Sequence, residues 1–314
     1  MSTPAVPLPA APVRHRSGVV RRRLRREASR LRDPRRVAAI VILGIVFGLF
    51  ITGAIARGEL AGADARAYWA AVRIWLAGGD PYHPTTPFMP FVYAPWLLPL
   101  FTPWALLPWD VAWFSWRWAN VLLLLWSVHW AYRQHPLATA LLVAVLTLPL
   151  AASLDTGNVN LLLVLMLWGA RWARPLAAGL LWAVPTVTKW LPFVFLPLLA
   201  PRGRAWGIAF LGLAAILSLA TFPATLTQLE IVVGFPRPAR IDYLVYLWAL
   251  VPWLWRHPDP ASLLRPSAWR QRLGGAGEAW SRGYAAVRSD PRAGTAALAA
   301  AAGRRTRAFL GLDG

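Results

Sequence analysis

From Val37 to Ala56 the chain reads VAAIVILGIVFGLFITGAIA, twenty consecutive positions without a charge. As a helix this run is about 30 Å long and apolar on every face, which matches the hydrocarbon thickness of a bilayer. Further apolar runs follow at 110–132, 137–153, 159–170, 175–200, 205–221 and 241–255, separated by short polar segments. The pattern predicts an all-α, multi-pass membrane protein. Hydrophobic residues make up 57% of the 314 and charged ones only 15%, which excludes a disordered chain and argues against an ordinary soluble domain.

Lysine and arginine outnumber aspartate and glutamate by 33 to 13, for a net charge of +20. In a soluble protein that excess points to nucleic acid. Here the arginines crowd into the first 36 residues, the short segments between apolar runs and the last 60 residues. That is the distribution of cytoplasmic loops and tails resting on anionic lipid, so no nucleic-acid partner is expected. Twenty tryptophans, several near the ends of apolar runs (Trp96, Trp104, Trp109, Trp253, Trp255), suit interfacial belts. With no cysteine, disulfides, thiolate metal sites and cysteine nucleophiles are excluded.

Three regions follow: an arginine-rich cytoplasmic tail over 1–36, a transmembrane domain over 37–255 and a cytoplasmic arginine/alanine-rich tail over 256–314, with an amphipathic stretch near 268–288. The Ala54-x-Ala56 pattern resembles a cleavage site, but the long leader and the later crossings favour an uncleaved anchor. The segment after the first crossing then lies outside. Residues 93–108, short and broken by prolines, read as a helix at the outer interface. The chain returns over 110–132 to Arg133 and His135. It goes out over 137–153, reaches the outer side at Asp155–Asn158, and comes back over 159–170 to Arg171 and Arg174. Arg202 and Arg204 stay inside only if 175–200 forms two half-helices meeting at a re-entrant tip, with Lys189 inside a protein-lined cavity. Residues 205–221 then go out, 222–240 form a second outer loop with Glu230, Arg237 and Arg240, and 241–255 returns.

This arrangement gathers Asp64, Asp80, His83, Tyr93, Asp155, Asn158, Asn160 and Lys189 on or near the outer side. In G-x-D-x-x-x-Y, Asp64 and Tyr68 share a face of a helix that Asp64 opens and Gly78-Gly79 ends. Capping or a solvated loop charge is the plainer role for Asp64. Asp80, followed by proline, reads equally as a turn former. Lys189 and Asp155 stand out because ionisable groups at membrane depth are costly, and snorkelling is the plain alternative for the lysine. His/Asp/Glu spacing for a metal, a phosphate-cradling glycine loop and a Ser/His/Asp signature are all missing, so neither a metal nor a cofactor is expected.

The series GADARAYWAAVRIWLAGGDPY, FVYAPWLLPLFTPWALLP, TGNVN with its apolar run, and AAGLLWAVPTVTKWLPFVFLPLLAPRGR resembles glycosyltransferase family 87 over roughly residues 50–220. The resemblance implies a membrane enzyme of the GT-C type. Such an enzyme moves mannose from polyprenyl-phosphate mannose to an acceptor hydroxyl outside the cytoplasmic membrane, with inversion. It implies Asp64 as the base, since an aspartate of the first outer loop has that role in GT-C enzymes. The leaving phosphate would meet Lys189 and Arg66, and the remaining donor contacts fall to Tyr68, Asp80, Tyr82, Tyr93, Asn158 and Asn160. The acceptor is a lipid or a glycan. Two departures stand against the family's pattern. Gly157-Asn158-Val159-Asn160 replaces the common Gly-Gln-x-Asn, and an arginine-rich tail follows residue 255 where further crossings are usual, as in a truncated chain. A carrier or flippase of lipid-linked sugars and a structural membrane subunit are the competing classes, although a carrier usually shows an internal repeat that this chain lacks.

Overall fold

The computed structural model describes residues 33–57, 61–85, 88–234 and 241–256, with positions 302, 303, 306, 307, 309 and 310 near the C-terminus. The tails expected over 1–36 and 256–314, the amphipathic stretch and Arg237 and Arg240 lie almost wholly outside these residues. Among the described residues every regular element is a helix.

Helix α1, Pro34–Arg57, buries only Ala39 and Val46. Much of its remaining surface, including Ile40, Val41, Ile45, Leu49, Ile51 and Ile55, is exposed. Leu43, Phe47 and Phe50 pack against the core, while the exposed apolar surface suits a helix that lipid surrounds on its free side. Helix α2, Ala63–Leu76, is amphipathic and ends where Gly78 takes φ +80°. A 3-10 turn, Pro95–Leu97, leads into α3, Leu98–Ala105, and then α4, Trp109–Gln134. The Arg73 guanidinium of α2 donates to the carbonyls of Ala105, Leu106 and Leu107, placing a cation where α3 leaves its carbonyls open.

Instead of one arm over 137–153, the chain makes α5, Pro136–Val145, and α6, Thr147–Thr156, bent by 63° to one another. Pro149 has no N–H to give the Val145 carbonyl, so the ladder lapses at the bend. Helix α7, Asn160–Ala170, buries eight of its eleven residues, and at about 16 Å it is a short central post of the fold. Around its end Trp168 stacks on Trp248 at 5.6 Å and donates to the Trp248 carbonyl, while Trp248 donates to Ser127.

Helix α8, Pro175–Thr188, stops at Lys189, and a 3-10 helix, Leu191–Leu198, runs back along it, with Trp182 Nε1 donating to the Pro192 carbonyl. Helix α9, Pro201–Ala220, then lies against α8. A side chain at Gly203 would meet Ala178, and one at Gly207 would meet Trp182. Residue numbers therefore rise together along both helices, which run parallel. Their starts, with Arg174 beside one and Arg202 and Arg204 in the other, lie at the same end. A Cβ on Gly179 would stand 2.6 Å from Gly207 N, so backbone meets backbone at this contact.

The segment read as a second outer loop is in fact helical over α10, Phe222–Gly234. Pro223 is compatible with a first helical turn, where its missing N–H has no intrahelical partner. A 3-10 helix, Ile241–Leu250, and α11, Val251–Leu254, complete the described chain. By length and composition, α1 and α9 are long and apolar enough to cross a membrane, and the bent pair α5–α6 makes a third span if counted as one.

Candidate active site

The start of α2 is pinned on two sides. Gly62, at φ +88°, donates its N–H to the Asp155 carbonyl at 2.7 Å and accepts from Arg66 N at 2.8 Å. Across from it α6 closes with a Schellman motif, in which Gly157 sits at φ +69° and Asn158 N donates to the Ser153 carbonyl. A Cβ on Gly157 would lie 2.7 Å from Ala65 Cβ and 2.8 Å from the Trp113 ring. Only glycine here, with alanine at 65, lets the α6–α7 turn approach the first turn of α2 this closely.

That approach brings Asn158 to Asp64, ninety-four residues apart in sequence. Asn158 Nδ2 donates to Asp64 Oδ2 at 2.7 Å, and Asn158 Oδ1 accepts from the Asn160 backbone N–H at 3.0 Å. No side chain caps α2, so Asp64 is not employed as a cap. Among the described residues nothing donates to its other oxygen, Oδ1, and the residue is only partly buried. Asn160, fully buried, continues the line by donating Nδ2 to Asp242 Oδ2 at 2.9 Å.

A second line starts one turn along α2. The Tyr68 and Tyr93 hydroxyls lie 3.0 Å apart, and the Tyr93 ring faces the Lys189 ammonium at 5.5 Å. Tyr243 faces the same ammonium at 5.6 Å. With a relative exposure of 6%, Lys189 is buried among protein groups and does not snorkel. The break that delivers it is local. Pro185 lies inside α8, Lys189 is extended at φ −141°, and its N–H returns to the Pro185 carbonyl. Burial, followed by Tyr93 and the Asp64 carboxylate, holds the Tyr68 phenol well above its ordinary value, so it stays a neutral hydrogen-bonding group.

The other sequence candidates have partners elsewhere. Arg66 lays its guanidinium over the Trp109 ring at 4.7 Å. Asp80 accepts from Tyr82 N at 2.8 Å and pairs with His83 Nδ1 at 2.9 Å in an exposed turn. Burial pushes the Asp80 carboxyl up, but the His83 and Tyr82 hydrogen bonds and the His83 charge together bring it below its ordinary value. Tyr82 donates its hydroxyl to the Tyr93 carbonyl at 3.0 Å, bracing the loop that carries Tyr93. Burial, then Asp80, raises the Tyr82 phenol. Asp155 forms an ion pair with Arg57 at 3.1 Å, a tie between the ends of α6 and α1. Asp242 and Tyr243 were missed by sequence reasoning, which took 241–255 as a plain crossing. An acidic residue opening an apolar run was the available signal.

Helices long and apolar enough to cross a membrane, beside a cluster of carboxylates, amides and an ammonium, mark a membrane protein with a built polar site. The sequence profile of glycosyltransferase family 87 matches residues 91–312, well over half of the chain, so the chain belongs to that family and is a membrane glycosyltransferase. Comparisons with curated proteins and with solved structures give no match. The matched span contains Tyr93, Asn158, Asn160, Lys189 and Asp242, while Asp64, Arg66, Tyr68, Asp80 and Tyr82 precede it. It also continues through 256–312, the stretch that in sequence reads as a departure from the family.

Proposed function

We propose that the chain transfers a hexose, with mannose the first to test, from a polyprenyl-phosphate donor to a hydroxyl of a lipid or glycan acceptor on the outer side of the cytoplasmic membrane. The acceptor oxygen attacks the anomeric carbon from the face opposite the phosphate. The bond from that carbon to the phosphate oxygen breaks, its electron pair leaves with the polyprenyl phosphate, and the acceptor proton passes to Asp64 Oδ1. Configuration at the anomeric carbon inverts. One observation carries the assignment of Asp64: an aspartate held on one oxygen by Asn158 while its other oxygen accepts nothing among the described residues. A general base needs that arrangement, fixed in direction and open to one proton.

Lys189 supplies the charge that the leaving phosphate requires, and burial strengthens its pull on a developing anion. Tyr93 and Tyr243 hold the ammonium between ring faces, and Tyr68 links that pair to the helix of Asp64. The exposed apolar surface gives a polyprenyl tail an environment like its own. Arg66, Asp80 and Tyr82 act as braces rather than donor contacts, and no step is assigned to a metal ion or cofactor.

The test is transfer from labelled polyprenyl-phosphate mannose by membranes carrying the full chain, with products identified by mass spectrometry and polyprenyl-phosphate glucose as the comparator. A mannosylated product that disappears with Asp64→Asn is expected. No transfer above control membranes, or full transfer by Asp64→Asn, overturns the proposal. Sidedness is tested separately. The chain has no cysteine, so single cysteines at 64 and 189 can be labelled directly, and positions on opposite leaflets would refute a single outer site.

A further inference from the structure

The line of hydrogen bonds that starts at Asp64 passes through Asn160 to a second carboxylate. Asn160 Nδ2 donates to Asp242 Oδ2 at 2.9 Å, and Asn160 Oδ1 accepts from the Tyr246 hydroxyl at 3.4 Å. Its backbone N–H donates to Asn158 Oδ1 at 3.0 Å. Chemistry sets the amide orientations. An ionised carboxylate only accepts, so each asparagine turns its NH2 to its aspartate, and a backbone N–H only donates, so it faces the Asn158 oxygen. The assignments agree along the whole line. Asn160 is fully buried, so losing the Asp242 acceptor strands an amide NH2 away from water. The side chain then turns to find a partner, and the 158–160 turn that aims Asn158 turns with it.

We propose that Asp242 is a positioning residue for glycosyl transfer: through Asn160 and the 158–160 turn it keeps the Asn158 amide on Asp64 Oδ2, leaving Oδ1 aimed at the acceptor hydroxyl. The proposal rests on the reading of Asp64 as the base. Asp242 touches neither donor nor acceptor in this role. It serves as a hydrogen-bond acceptor and its charge is dispensable, so an asparagine at 242, presenting a carbonyl oxygen to Asn160 Nδ2, does the same work.

The experiment uses the full chain in lipid nanodiscs, with kcat and the donor KM measured for Asp242→Ala and Asp242→Asn. Asp242→Ala is expected to lower kcat about 10- to 100-fold with donor KM within about twofold, the effect of a misplaced reacting group. Asp242→Asn returns kcat to within about threefold of the unaltered chain. Asn160→Ser, too short to reach Asp242, breaks the same link from its other end and stands in should Asp242→Ala not be recovered folded. Hydrogen exchange across 157–161 gives a readout that needs no turnover: faster in Asp242→Ala, unchanged in Asp242→Asn. If the unaltered chain moves no hexose, the functional reading fails while exchange still decides the positioning role. Undiminished kcat in Asp242→Ala, unaltered exchange in that variant, or Asp242→Asn as slow as Asp242→Ala overturns the proposal, the last by making the charge itself the agent.

Discussion

Two polar lines join the same pair of elements by different chemistry. Both begin on α2, at Asp64 and Tyr68 one turn apart, and both end on the 3-10 helix Ile241–Leu250, at Asp242 and Tyr243 side by side. The first crosses the α6–α7 turn through two asparagines by directed hydrogen bonds of 2.7 to 3.0 Å. The second crosses through Tyr93 and the break at Lys189, where ring faces hold a cation at 5.5 and 5.6 Å. Hydrogen bonds to a carboxylate fix direction, whereas a ring face tolerates a displaced cation. The proposed base lies on the line that fixes direction and the proposed phosphate partner on the line that tolerates movement. Proton transfer needs aim, and a phosphate leaving on a long lipid needs charge that can follow it.

The sharpest way to break this division is at its two functional ends. Asp64→Asn keeps an acceptor for Asn158 and removes only basicity, so turnover should fall about 1,000-fold with the thermal midpoint unchanged. A fall of less than tenfold would separate Asp64 from the chemistry. Lys189→Met keeps the stem and removes the charge, with an expected loss of about 100-fold in kcat/KM. Lys189→Arg should recover part of it, because ring faces accept a guanidinium as well. Were Lys189→Arg as inactive as Lys189→Met, the second line would prove as exacting as the first.

Legibility in the sequence followed locality. The charge-free run of α1, the opening of α2 at Asp64 and its stop at Gly78, and the break at Lys189 all depend on neighbours a few residues away. The parallel course of α8 and α9 brings Arg174, Arg202 and Arg204 to one end, the arrangement that arginine placement alone had required of that segment. Where the structure differs from the expectation, proline gives the reason. Pro223, inside the expected 222–240 loop, suits a first helical turn, and Pro149, inside the expected 137–153 arm, opens the ladder between α5 and α6. Asp242 was out of reach for another reason. Its meaning depends on Asn160, eighty-two residues earlier, and no periodicity relates the two.

The closeness of the first line to α2 has its own test at Gly157, whose φ of +69° and lack of a side chain let the turn meet Ala65 and Trp113. Gly157→Ala adds backbone strain and a clash, and should destabilise the fold by about 2 kcal/mol, read from thermal unfolding in detergent. An Ala65→Gly, Gly157→Ala pair relieves the contact with Ala65 but neither the contact with Trp113 nor the strain. It should recover part of that loss, and full recovery would show that the left-handed backbone costs nothing here.

Asp80 lies beside the second line only, next to the Tyr82 that donates to the Tyr93 carbonyl. Its partners are His83 and the Tyr82 backbone, with 51% and 66% of the Asp80 and His83 side chains exposed, so Asp80→Asn should leave turnover within about twofold. A pH trace remains. Because the folded carboxyl lies below its ordinary value, its contribution is complete above the unfolded value of about 4 and is lost as pH falls through the lower folded one. The thermal midpoint should therefore show a shallow acid-side decline that Asp80→Asn removes. If Asp80→Asn instead cut turnover as Lys189→Met does, the turn at 80–83 would belong to the donor site, and the second line would extend beyond Tyr93 through Tyr82.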